Sequence, residues 1–105
     1  MNMQELMDFI GTRYIFSVEY YPVLQGKSAD ETRVFAINHS HLHMSKSLGR
    51  LAAESERYDH GGSIDNAVVK EVTVKMLINV LKLAQELGMT ADELIEAVPN
   101  FMISK

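Results

Sequence analysis

The segment His39–Glu54, HSHLHMSKSLGRLAAE, concentrates the side chains best suited to chemistry in this chain. Three histidines at alternate positions are followed by Lys46, Arg50 and Glu54. His39 and His43 are four residues apart, so on a helix they share a face and could both ligate zinc or nickel. Such a pair needs a third ligand. Glu54 lies about three turns further on, and His60 or Glu71 would have to arrive from a loop or another helix. A lysine and an arginine beside the pair also repel a cation. The same two cations, four apart on one face with His43 a turn before them, suit an anion: ammonium and guanidinium groups hold phosphate without a metal. The plainer alternative is a solvated basic face with Arg50 and Glu54 as an i,i+4 ion pair. Lys75 favours the anion site, because a lysine within an otherwise apolar stretch is unusual. Asn79, one turn beyond it, joins the candidate ligand set of His43, Lys46, Arg50, Glu54 and Lys75. His41 falls among apolar residues and reads as a packed histidine with one buried hydrogen bond.

Helices must position these groups. Met3–Arg13 places Leu6, Phe9 and Ile10 on one face before Gly11. Tyr14–Leu24 is rich in aromatics, but no second strand exists to pair with it and Pro22 would break a ladder. It reads as a helix extension or as a connection packed across the bundle. Ser28-Ala29-Asp30-Glu31 is a capping box opening a helix from about Ala29 to Tyr58. At about 100° per residue Val34, Ile37, His41, Met44, Leu48, Leu51 and Ala52 share one face, expected to turn inward. His39, His43, Lys46, Arg50, Glu54 and Arg57 fall opposite. Gly61-Gly62 stops that helix. Ile64–Leu87 is the next one, apolar nearly all round between Val74 and Ala84 apart from Lys75, Asn79 and Lys82. Gly88 caps it, and a second box, Thr90-Ala91-Asp92-Glu93, opens a short helix ending near Pro99. SADE and TADE do not amount to a repeat, since their flanks differ.

The expected fold is all-α: a small antiparallel bundle of three to four helices forming one domain over residues 1–105. The 105 residues suffice for one modest core, and 47% hydrophobic content is that of a globular chain. Only 8% are aromatic, which favours helix packing. With no cysteine, disulfides and thiolate zinc sites are excluded. The start MNMQELMDFI lacks the pattern of a secretory signal, and MLINVLKLA is too short to span a bilayer. A soluble cytoplasmic protein is expected, with no membrane partner. A net charge of −4 with interspersed signs argues against nucleic acid. The apolar third helix and seven methionines suit association, so a homodimer or tetramer is expected, built on Met76–Leu87 or Tyr14–Tyr21.

Two segments, KSLGRLAAESE and VVKEVTVKMLINVLKLAQELGM, resemble the all-α nucleotide pyrophosphohydrolases of the MazG-like superfamily. They cover roughly half of the chain. The family carries EExxE on the first helix, and on the second ExxD followed by an apolar run ending LxLAxxLG, which LKLAQELG matches closely. The resemblance implies a MazG-like bundle that binds a nucleotide or another phosphorylated small molecule. In the family the carboxylates hold Mg²⁺, which organises a nucleoside triphosphate for cleavage to monophosphate and pyrophosphate. Here Lys46, Ser47 and Arg50 stand at the EExxE positions, and Val72 and Lys75 at those of ExxD. Hydrolysis is therefore expected to be slow or absent. Magnesium would enter only through Glu54 and Glu71. The competing expectation is a non-enzymatic oligomeric bundle acting through protein–protein association.

Overall fold

The computed structural model describes residues 1–104. Four helices follow in chain order: α1 (Met3–Arg13), α2 (Ala29–Asp59), α3 (Asn66–Glu86) and α4 (Ala91–Ile103), with a 3-10 turn at Pro22–Leu24 between the first two. No strand is present among the described residues. None of their helices is long and apolar enough to cross a membrane.

The helix ends follow from local chemistry. Ser28 Oγ accepts from the Glu31 amide while the Glu31 side chain accepts from the Ser28 amide, completing the capping box of α2. Asn2 and Glu5 do the same for α1. At α4 only half of the expected box forms: Thr90 Oγ1 accepts from the Glu93 amide at 3.2 Å. Both long helices close with paired 6→1 and 5→2 bonds: Gly62 N–H to Arg57 O and Gly61 N–H to Tyr58 O after α2, Met89 N–H to Ala84 O and Gly88 N–H to Gln85 O after α3. Gly61 and Gly88 carry the positive φ this closure needs, 88° and 72°.

Two boundaries differ from expectation. α3 begins at Asn66, not Ile64, because the Asp65 carboxylate accepts from the Ala67 amide and caps it there. α4 runs through Pro99 to Ile103. A proline costs that helix one amide donor, and the ladder re-forms beyond it, with Ser104 N–H donating to Asn100 O at 3.1 Å.

α2 and α3 form an antiparallel hairpin. Three bonds mark its length: Glu54 to the Asp65 amide near the loop, Arg50 to Glu71 further down, and Arg33 Nε to the Glu86 carbonyl at the far end. α1 packs on the distal part of α3 and α4 on α1, and Met7, Ile10, Leu81, Ala84 and Ala91 make the hydrophobic cluster there. Gln4 ties the two outer helices together by accepting from the Ala91 amide at 2.8 Å.

The orientation of α2 is a correction. Its buried line is Ala36, Ser40, Ser47 and Glu54, while Val34 and Leu48 are more than half exposed, and His41 and Ala52 also face outward. The expected apolar face is therefore not the one against α3, and His41 is not a packed histidine. Small side chains let α3 approach α2 closely along a strip lying between the apolar and the polar faces. Hydrophobic periodicity shows that a face exists, not what covers it.

Candidate ligand pocket

The polar face of α2 turns toward one side of the hairpin and, with α3 and the aromatic connection, bounds a cavity of about 490 Å³. Of the residues expected to bind a ligand, His43, Lys46, Arg50, Lys75 and Asn79 all line it. Glu54 does not. Its side chain is buried, accepting from the Asp65 amide at 2.8 Å and paired with Arg57 on its own helix. It joins the end of α2 to the start of α3. The expected Arg50–Glu54 ion pair is absent; Arg50 crosses to α3 instead.

The two ends of the pocket differ in chemistry. At one end Glu71 receives both Arg50, at 2.9 Å, and Lys75, at 3.1 Å. Hydrogen bonds from Arg50 and then Lys75 hold its carboxyl below the usual carboxylate range. Lys46 lines the same end and makes no ion pair among the described residues. Three cations thus face one carboxylate, leaving an excess of positive charge on a chain that is acidic as a whole. Asn79 donates one side-chain N–H to the Lys75 carbonyl, which leaves its second N–H and its carbonyl oxygen for the cavity.

The other end is aromatic. The connection lays Phe16 and Tyr21 against Phe35 and His39 of α2. Phe16 stacks on Tyr21 at 5.3 Å between ring centres, and Phe35 stacks on His39 at 5.7 Å. His39 Nε2 faces the Tyr21 hydroxyl at 3.3 Å and His43 Nε2 at 3.0 Å. With that nitrogen unprotonated, the hydroxyl and the His43 N–H both donate to it. Burial first, then the neighbouring His43 and Lys82, pushes the His39 pKa down, which favours this neutral form. Lys82 closes the end from α3. Its ammonium sits 4.3 Å from the centre of the Phe16 ring and 3.6 Å from Glu86, in a side chain that is only 7% exposed. Burial lowers its pKa and Glu86 opposes that shift.

The pocket does not suit magnesium. The ion needs several hard oxygen ligands at once, yet Glu71 is held by two cations and Glu54 by Arg57 and a backbone amide outside the cavity. Among the described residues no group of three His, Asp or Glu side chains converges. His39 and His43 share a face as their spacing required, but direct their Nε2 atoms at each other.

Phe16, Tyr21, Ser40, Ser47 and Lys82 line the pocket without having been singled out by the sequence. Lys82 carried the same signal as Lys75, a lysine within an apolar run. Ser47 stands at a family ligand position, which by itself did not mark it as a site residue; Ser40 could be found only once the contact line between α2 and α3 was known, and the two rings only once the connection was seen to fold back on α2. The chain matches no family model, no curated protein and no solved structure.

Proposed function

We propose that this protein is a divergent MazG-like bundle that binds a phosphate-bearing small molecule, such as a nucleotide, without depending on Mg²⁺. The carrying observation is a single cavity with Lys46, Arg50 and Lys75 at one end and aromatic rings at the other. In this reading the phosphate displaces or shares the Glu71 pairing of Arg50 and Lys75, and Lys46 adds an uncommitted charge. A planar ring on the ligand lies toward Phe16, Tyr21 and His39, and the Asn79 carbonyl accepts a hydrogen bond from the connecting part. Hydrolysis is slow or absent, because Glu71, the carboxylate nearest the cavity cations, is held by Arg50 and Lys75, and among the described residues no group of three His, Asp or Glu side chains converges to activate water. Support for the MazG-like reading comes from the hairpin, which sets the positions matched to the family's two motifs face to face, as Arg50 and Lys75 on one carboxylate attest.

A thermal-shift screen with nucleotides, with and without Mg²⁺, tests this. A ligand at 100 times its Kd adds about 2.7 kcal/mol of stability, a rise of roughly 10–20 °C for a domain of this size. The rise is expected without Mg²⁺ and shrinks as salt screens the site. Arg50→Ala weakens binding more than Arg57→Ala, whose side chain belongs to the Glu54 pairing. Glu71→Gln discriminates most sharply. It strengthens binding if Glu71 competes with the phosphate for Arg50 and Lys75, and abolishes it if Glu71 is a metal ligand. Mg²⁺-dependent release of pyrophosphate that is lost in Glu71→Gln overturns the proposal.

A further inference from the structure

At the aromatic end of the pocket, His39 Nε2 has two polar neighbours: His43 Nε2 at 3.0 Å and the Tyr21 hydroxyl at 3.3 Å. A neutral imidazole nitrogen has one in-plane lone pair, which accepts one straight hydrogen bond well and divides poorly between two. His43 directs its own Nε2 into the same contact. Three atoms that can each present a lone pair therefore crowd one point. The two histidines reach it because positions four apart lie one above the other on α2. Tyr21 reaches it because the connection folds back, its ring meeting His39 edge-on at 5.1 Å between centres. Phe16 and Phe35 flank the His39 ring as well, at 5.6 and 5.7 Å, and so fix its direction.

We infer that His39, His43 and Tyr21 form a three-ligand site for a divalent transition metal of the zinc or copper kind. Ligand atoms bonded to such an ion at about 2.0–2.1 Å, a tetrahedral angle apart, are separated by about 3.3 Å. The observed separations are 3.0 and 3.3 Å, so the ion enters with little movement of the side chains. Imidazole suits zinc, copper and nickel, whereas magnesium takes hard oxygen ligands. On coordination the Tyr21 hydroxyl gives its proton to solvent, and the phenolate supplies negative charge to the ion. The nearby cations are already offset: Lys82 lies 3.6 Å from Glu86, and Arg50 and Lys75 share Glu71 at the other end of the pocket. All three ligands line the cavity, which leaves the fourth position to water. The ion ties the connection to α2 and holds the aromatic wall in place. Standing away from Arg50 and Lys75, it takes no part in phosphate chemistry, and the inference does not rest on what the pocket binds.

Untagged protein, stripped with a chelator and titrated calorimetrically with Zn²⁺ alone, should bind one ion per chain. His39→Gln and His43→Gln should each weaken binding by roughly tenfold or more, about 1.4 kcal/mol. Tyr21→Phe keeps the ring and its stack on Phe16 and should weaken binding severalfold. His41→Gln and His60→Gln, at exposed histidines outside the cluster, should leave the affinity unchanged. Absence of Zn²⁺ binding, equal affinity in Tyr21→Phe, or a loss in His41→Gln or His60→Gln as large as in His43→Gln overturns the proposal. Should the histidine variants lose their helix by circular dichroism, Cu²⁺ on the wild-type chain provides a second reading. Electron paramagnetic resonance should show splitting from two imidazole nitrogens, and the visible spectrum a phenolate-to-copper band that Tyr21→Phe lacks. Absence of either signal in the wild type overturns the proposal.

Discussion

His39 lies where the aromatic connection, α2 and α3 meet, with its Nε2 opposite both Tyr21 and His43 and its ring on Phe35. Its folded pKa is held below the ordinary imidazole value of about 6.5, first by burial and then by His43 and Lys82. The unfolded chain therefore binds this proton more readily than the native one. Stability associated with His39 is full above its ordinary value and is lost as pH falls through the lower, folded value. Denaturant unfolding at pH 7.5 and at pH 5 should show wild-type stability dropping toward acid. His39→Phe retains the ring and has no proton to gain, so its drop should be smaller. An equal drop in both proteins would remove His39 as the cause. Lys82 lies under the same rings with its charge opposed by burial, and its lysine-in-an-apolar-run signature was as visible in the sequence as that of Lys75.

At the scale of elements, Glu54 shows how a carboxylate within a candidate motif can serve the frame instead. It is buried, joins the last turns of α2 to the first amide of the α3 cap, and holds Arg57. Glu54→Ala leaves the Asp65 amide without its partner, a loss of about 1–3 kcal/mol, measurable as a shift in the denaturation midpoint. Glu54→Gln keeps an acceptor for that amide and should cost less. Neither change should alter ligand affinity, since Glu54 stands outside the cavity; a ligand-binding defect in Glu54→Gln would place it back in the site. The cap itself gives a second check: Asp65→Ala removes the acceptor for the Ala67 amide and should cost about 1 kcal/mol.

For the whole molecule, the main hydrophobic cluster among the described residues joins α1, the distal half of α3 and the start of α4, with Leu24, Ala36 and Val72 buried outside it. The most buried residues along α2 and the facing part of α3 include Ala36, Ser40, Ser47 and Val72, side chains that are small and bury little apolar area each. The expectation of a homodimer or tetramer is checked through stability: for a self-associating chain the melting temperature should rise with protein concentration. A scan from 2 to 200 μM, roughly the span over which such linkage shows, checks it. A constant melting temperature together with a monomeric mass would mean that the hairpin is stable alone.

What the sequence determined is whatever depends on neighbours along the chain. Capping at Ser28, closure at Gly61 and Gly88, the absence of a strand partner for Tyr14–Leu24 and the shared face of His43, Lys46 and Arg50 are all local, set by hydrogen bonds and angles within a few residues. Positions three and four apart stay together in any fold that keeps the helix, which groups His43, Lys46 and Arg50 on α2 and Lys75 and Asn79 on α3; the hairpin then brings the two groups to one cavity. Which side of α2 meets α3 was decided only by tertiary structure. The amphipathic pattern pointed to Val34, His41 and Leu48, but the close approach of two helices selected the line of Ala36, Ser40 and Ser47, where small side chains let the backbones come together. The same choice left Val34, Leu48 and Val80 facing outward, set Glu71 between Arg50 and Lys75, and drew Phe16 and Tyr21 over His39. The Arg50–Glu71 and Tyr21–His39 contacts join residues 21 and 18 positions apart in sequence, and periodicity carries no information about partners at that separation.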